Sequence, residues 1–397
     1  MRPWQAIALL IFGVLVALVG VLTWVFWDEP LTSPLSSTSA FRFFRDVQVT
    51  NQKPHIVYGF LPYWNVKKVT LQPEITHIGY FGLGILADGN VQLKDGADQA
   101  PGYTGLQSEE LLAIAQQLEA RGGSLELVVT QFNGDDIVAF LNSPKAQKQF
   151  LSVLDTIILA YPISGINIDI EPSGIEITDE LRDNYVNFIS FLRQHLNTTY
   201  DKVPLTIDMY ASASSNEQIW DIPRLAPLVD HIIVMAYDYH RRSSVQAGPV
   251  APIFGGEKSW DSDISHHLKE YVSLVPPDKL LLGIPFYGYE WQTTDRSAQS
   301  PTYPETGATA TLDRVTKILD QKKQLQVQEY WNDQALSPYL SYVEDGKTYL
   351  IYYENPRSIS YKLDLVNQLD LAGVAIWALG YEGEDRVLWD VINQKFR

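Results

Sequence analysis

In the run Gly165-Ile166-Asn167-Ile168-Asp169-Ile170-Glu171-Pro172, three polar side chains alternate with isoleucines. On a β-strand that spacing puts Asn167, Asp169 and Glu171 on one face and the isoleucines on the other. Carboxylates aligned on an apolar strand are costly to desolvate, so they imply hydrogen-bond partners or a chemical use. Asp169 and Glu171 would stand about 7 Å apart along the strand, at roughly 3.3 Å rise per residue. Pro172 closes the strand with Glu171 at its C-terminal end. The alternative is a half-exposed edge strand with a solvated polar face.

The elements that must position these acids recur along the chain. Eight short β-rich runs occupy residues 55–61, 76–81, 125–132, 165–171, 204–210, 231–237, 279–287 and 373–379. Segments of helical period lie between them, among them 108–121, 143–160 and 178–196, each opening on Ser or Thr. Eight such units predict an α/β fold, a closed (β/α)8 barrel with its site at the C-terminal ends of the strands. The gap between the seventh and eighth strands holds a helix candidate at 311–322. Strand-like pieces follow at 326–331, 338–344 and 347–353, the last two joined by Asp345-Gly346. We read residues 289–355 as containing a small α+β insertion.

Three more strands aim side chains at the same mouth. Alternation in the sixth pairs Met235 with Tyr237, and in the eighth it turns Trp377 inward. Asp208 on the fifth is an inward acid. Asp238 has the wrong parity unless the sixth strand has already ended.

Composition narrows the chemistry. A formal net charge of -17 argues against nucleic acid and anionic lipid headgroups as partners, which require basic patches. With no cysteine there is no disulfide, thiolate metal site or Cys nucleophile. The seven His show no metal-binding spacing, and His266-His267 reads as a solvated helix face; neither a metal nor a cofactor is expected. The 22 Tyr and 10 Trp exceed packing needs and suit stacking on sugar faces. Residues 6–27 are uncharged and apolar, long enough to cross a bilayer, with Arg2 before them and Asp28-Glu29 after. The expected organisation is an N-terminal membrane anchor at 1–28, a flexible linker at 29–52 and a barrel at 53–397. The barrel would stand outside the cell as a monomer. A cleaved signal, with Thr38-Ser39-Ala40 as the processing site, is the competing reading. Asn197-Thr198-Thr199 matches a glycosylation acceptor for a secretory route.

Taken as a set, these residues resemble glycoside hydrolase family 18, the chitinase-like barrels. Ser164 to Glu171 resembles that family's D-G-x-D-x-D-x-E signature. Met235-Ala236-Tyr237-Asp238 resembles its M-x-Y-D, and Gly373-Val374-Ala375-Ile376-Trp377-Ala378-Leu379 its last strand. The end of the chain, Trp377 to Glu382, is also similar to bacterial members acting on cell-wall or spore peptidoglycan. The resemblance implies a retaining, substrate-assisted hydrolysis of β-1,4-linked N-acetylglucosamine-containing glycan. Glu171 would be the acid and then the base, Asp169 and Tyr237 would hold the acetamido group, and Trp377 would be the sugar floor. Met235, Asp238 and Tyr287 would line the wall, with Asn167 supporting Asp169 by a hydrogen bond. Two positions depart from the signature: Ser164 and Asn167 stand where it has Asp. The third strand lacks the usual Ser and glycines, which leaves Gln131 or Asn133 as the polar contact there. A lectin-like barrel that binds without turnover is the alternative from another class. A hydrolase with two enzymic carboxylates would need Asp208.

Overall fold

The computed structural model describes residues 54–215 and 218–396. The apolar segment 6–27 and the linker 29–52 lie outside them. Among the described residues no helix is long and apolar enough to cross a membrane.

Eight parallel strands close into a barrel: β1 (Ile56–Pro62), β2 (His77–Gly84), β3 (Ser124–Gln131), β4 (Gly165–Ile170), β5 (Leu205–Tyr210), β6 (His231–Met235), β7 (Leu280–Pro285) and, last in the chain, β13 (Gly373–Trp377). Their order around the barrel follows the chain, β13 closing the circle between β7 and β1. Most strand residues are buried, β3, β4 and β7 almost wholly, because helices cover the outside and side chains fill the inside. The expected helix starts are real caps: Ser108, Ser143 and Thr178 each accept the backbone N–H three residues on, from Leu111, Ala146 and Leu181. They open α2 (Glu109–Glu119), α4 (Pro144–Ala160) and α5 (Asp179–Thr199); α1 (Pro101–Leu106) precedes α2, and α3 (Gly134–Leu141) lies between α2 and α4.

Tyr58, Phe60, Val128, Ile233, Leu281 and Ala375 form the packed interior. Gly79 makes this possible, since a Cβ there would lie 2.3 Å from the Tyr58 hydroxyl. The barrel is therefore a filled core that opens only at its C-terminal end.

The insertion begins earlier than its expected limit of residue 289. Phe286 alone separates β7 from β8 (Tyr287–Thr293), and its N–H donates to the Trp377 carbonyl. The run 279–287, expected as one strand, is thus two, and Tyr287 belongs to a second sheet. That antiparallel sheet adds β9 (Ala308–Thr311), β10 (Gln328–Asn332), β11 (Ser337–Glu344) and β12 (Lys347–Tyr352), in the order β9-β8-β12-β11-β10. Helix α7 (Leu312–Asp320) is tied to it where Arg314 donates to both oxygens of Glu290, at 3.1 and 2.9 Å. The pair His266-His267, expected on a solvated face, sits on α6 (Ile264–Leu274), where His267 is 5% exposed. Its ring hydrogen-bonds the Tyr239 and Ser262 hydroxyls at 2.8 and 3.0 Å.

The chain returns to the barrel through α8 (Pro356–Leu369), capped by Asn355 and Ser358, and ends on α9 (Val387–Lys395). Just before α8, Glu354 meets Lys362 at 2.8 Å, both fully enclosed. Removing one member of such a pair strands a charge without solvent. Lys362→Met is expected to cost about 3–5 kcal/mol in urea unfolding, and adding Glu354→Gln should recover most of it. A single variant no less stable than the double would contradict this reading.

Candidate active site

The C-terminal ends of β4, β5, β6 and β13 surround a cavity of about 400 Å³. Asp169, Glu171, Asp208, Met235, Tyr237, Asp238, Tyr287 and Trp377 all line it. Asn167 and Gln131 do not. Asn167 is fully buried below the cavity. The Gln131 amide is spent on backbone, donating to the Ile85 carbonyl and accepting from Asn133 N–H at 2.8 Å.

Glu171 lies one residue past β4, its N–H still donating to the Gln131 carbonyl at 2.9 Å. Asp169 is 4% exposed, and its Oδ1 meets no donor among the described residues. The expected Asn167 to Asp169 hydrogen bond does not form. Asn167 instead donates through Nδ2 to Asp208 Oδ1 at 3.0 Å and to the Tyr58 hydroxyl at 3.2 Å. Tyr58 in turn donates to Glu126 Oε2 at 3.2 Å. The reason is register: β4 and β5 pair residue for residue, Asn167 opposite Thr206 and Ile168 opposite Ile207, which brings Asp208 within reach of the amide. Ser164, at the other departure from the family signature, bonds Ser124 and the Leu125 N–H at the opposite end of the strand.

These buried acids resist ionisation. Burial is the leading cause for each. It pushes Glu126 up to about 8. Asp169 is held well above the usual carboxylate range by burial and then by the charges of Glu171 and Asp208. Asp208 is raised by burial, with Glu171 and Glu126 adding to it against the Asn167 hydrogen bond. Glu171 is raised by burial as well; a Tyr210 hydrogen bond and the Arg241 charge oppose the rise, and Asp238 adds to it. Burial and the surrounding acids also keep the Tyr237 phenol protonated, so it remains a donor. Its hydroxyl has no partner among the described residues.

Tyr237 and Asp238 reach the cavity because β6 stops at Met235, two residues before its expected end. Asp238 then adopts a left-handed backbone, φ 61°, and parity no longer governs where it points. Its Oδ1 accepts from the Tyr287 and Tyr289 hydroxyls, the latter at 2.8 Å. The first residues of the insertion sheet thus hold the loop that carries Tyr237. The Trp377 ring packs edge-on against Phe81 at 4.9 Å and tilted against Phe60 at 5.5 Å. Trp64 and Phe132, 42% and 43% exposed, continue the aromatic surface from Phe81.

Several contributors had escaped the sequence reading. Tyr210 was signalled by its i+2 spacing from Asp208, and Glu126 by its alternation with Val128 and Thr130. Arg241 carried no signal. Among the described residues no group of three His, Cys, Asp or Glu side chains is arranged to hold a metal.

Comparison with known proteins places this geometry. The family described as "Glycosyl hydrolases family 18" matches residues 23–382. An uncharacterized glycosylase of Bacillus subtilis is 27% identical, the match covering 67% of this chain and 71% of that protein. The cortical fragment-lytic enzyme of Bacillus anthracis is 22% identical over 78% of this chain and 66% of its own. The chain thus spans about two thirds of the length of these curated relatives. A group IV chitinase from Ostrinia furnacalis has the same fold, with a TM-score of 0.75, 20% identity and coverage of 86% of this chain and 99% of that one. The spore cortex-lytic enzyme SleL of Bacillus megaterium superposes with a TM-score of 0.66 and 17% identity, covering 87% and 75%.

The Glu126 carboxyl has a consequence for stability. Its folded value of about 8 lies above the ordinary 4.5, so between these values the folded chain binds more protons than the unfolded one. Its contribution is complete below pH 4.5 and disappears as pH rises through about 8. Glu126→Gln is therefore expected to flatten the fall of unfolding free energy across that window by up to about 1.4 kcal/mol per pH unit. Urea titrations from pH 5 to 8 check this, and an unchanged slope would contradict it.

Proposed function

Since the chain belongs to glycosyl hydrolases family 18, we propose that it cleaves β-1,4-linked N-acetylglucosamine-containing glycan with retention, the substrate's own acetamido group serving as nucleophile. The observation that carries this reading is the trio at the cavity floor. Among the described residues, a raised glutamic acid, a buried carboxyl with one oxygen lacking a donor and a phenol with no hydrogen-bond partner line one space with Trp377.

In this mechanism Glu171 gives its proton to the glycosidic oxygen as the bond to the anomeric carbon breaks. The acetamido carbonyl oxygen attacks that carbon from the other side and closes an oxazolinium ring. Asp169 accepts the acetamido N–H through the oxygen that meets no donor among the described residues, a hydrogen bond that tightens as positive charge grows on the ring and makes that N–H more acidic. The Tyr237 hydroxyl donates to the acetamido oxygen and fixes its approach. Both contacts are strongest once charge has developed, which is where they lower the barrier. Glu171, now a carboxylate, then takes a proton from the water that opens the ring. Burial suits Glu171 to both halves of this cycle, because a donor must hold its proton near the working pH.

Asp208 is a poor candidate for an enzymic nucleophile. It is 1% exposed, and its Oδ1 is already engaged by Asn167. A binding-only barrel gains nothing from a raised acid beside Asp169, which favours turnover over a lectin role. The names of the relatives, glycosylase, chitinase and cortical fragment-lytic enzyme, support the substrate class. Residues 6–27 complete the proposal as an anchor that holds the barrel outside the membrane.

Glu171→Gln is expected to lower kcat on an N-acetylglucosamine oligomer by at least a thousandfold, leaving the unfolding free energy within about 1 kcal/mol of wild type. Wild-type kcat should fall on the alkaline side as Glu171 loses its proton, with a midpoint above the ordinary glutamate value. Turnover surviving in the variant would remove Glu171 from the acid role. A second check replaces the substrate acetamido group by hydroxyl: cleavage should become undetectable, and equal rates on both substrates would show that the sugar does not supply the nucleophile.

A further inference from the structure

The cavity above Trp377 does not end at the catalytic floor. Toward the insertion it continues into a second hollow of about 520 Å³, bordered by Tyr289, Thr302 and Tyr303. On the other side it continues into a third of about 530 Å³, bordered by Trp260 and His266. Asp238 and Arg241 line all three. Arg241 therefore stands where the spaces meet.

Its placement is fixed from several directions. The Arg241 N–H donates to Ser244 Oγ at 2.8 Å, and its carbonyl accepts from Trp291 Nε1 at 3.1 Å. Its Nε donates to the Asp238 carbonyl at 3.2 Å. That last bond orients the guanidinium and leaves both terminal nitrogens without an acceptor among the described residues. Arg242 follows it into the second hollow and forms no ion pair among the described residues.

In a chain of net charge -17, two adjacent arginines that form no contact ion pair among the described residues are unusual, even though the Arg241 charge is felt by Glu171. The acids nearby are Asp169, Glu171, Asp208 and Asp238 in the catalytic cavity, Glu305 across the second hollow and Asp261 in the third. Asp238 already accepts two tyrosine hydroxyls on its Oδ1. A neutral glycan has no need of a guanidinium held by its Nε with two donors free. A carboxylate matches that planar fork, which offers it paired charge-assisted hydrogen bonds.

We propose that Arg241, supported by Arg242, recognises a carboxylate carried by the sugar beside the scissile bond. The substrate is then a glycan in which N-acetylglucosamine alternates with amino sugars bearing a carboxyl-ended ether at O3, the muramyl type, and not chitin. The carboxylate comes either from that lactyl group itself or from an amino acid attached to it. This inference rests on the glycan-hydrolysing reading above, so its test measures binding, independently of turnover.

The Glu171→Gln protein is titrated calorimetrically with three tetrasaccharides. One carries the free lactyl acid, one has that acid amidated by alanine, and one has it reduced to the alcohol. The expected result is at least tenfold tighter binding of one of the two acids than of the alcohol, with the preference shrinking as salt is raised. The tighter acid identifies the source of the carboxylate. Adding Arg241→Gln should bring the ratio to within about twofold, while Arg241→Lys, which keeps charge but loses the fork, should retain part of it. Equal binding of acids and alcohol, no binding of either acid, or a preference that survives Arg241→Gln would overturn the proposal. If the preference appears but wild-type protein cleaves none of the three, the hydrolytic reading fails and the Arg241 site stands.

Discussion

Removing carboxyl groups from water inside a closed barrel is the constraint on which the rest of this structure depends. An ionised acid in such a place is tolerated only when neighbours compensate it, and otherwise it keeps its proton. Glu126, Asp169 and Asp208 are all buried within the strand layer, and Tyr58 and Asn167 link two of them by hydrogen bonds. The chain thus concentrates acids whose proton affinity is raised by burial beneath one mouth. Glu171, one step beyond β4, stands at the upper edge of that group, close enough to share its desolvation and open enough to meet a ligand.

The second sheet serves the same end from outside the barrel. Because β8 starts one residue after β7, Tyr287 and Tyr289 are carried directly over the mouth. Their hydroxyls fix Asp238, whose left-handed backbone ends the β6 alternation and lets Tyr237 and Asp238 face the same space. The Asp238 carbonyl then orients Arg241. A single loop after β6 thereby links the acetamido-binding phenol to the proposed carboxylate site, and both depend on the insertion staying docked.

How much of this was legible in the sequence follows the range of the interactions. Alternation along one strand is local, so the inward set Asn167, Asp169 and Glu171, the pairing of Met235 with Tyr237 and the eight barrel strands could be read directly. Cross-strand register is not local: nothing in the chain says that Asn167 stands opposite Thr206, and so its bond to Asp208 instead of Asp169 was hidden. Strand ends were equally opaque. The early stop at Met235 depends on Asp238 being held by tyrosines about fifty positions away. The division of 279–287 into two strands depends on Phe286 bonding to Trp377. His267 looked solvated because its partners, Tyr239 and Ser262, come from outside its helix. Arg241 was invisible for the same reason, since a lone arginine in a polar loop has no periodicity to betray it.

The central claim, that desolvation at the end of β4 raises the proton affinity of these acids above that of exposed carboxyls, can be measured directly. Carbon-13 labelling of the Asp and Glu side-chain carboxyls, with assignments made from single Asn and Gln variants, lets each group be titrated by NMR. The account predicts that Asp169, Asp208 and Glu171 retain protons above the pH at which exposed carboxyls have lost theirs, and that the Asp169 and Glu171 curves shift together because the groups interact. Ordinary independent titrations of all three, with midpoints near 4, would contradict it.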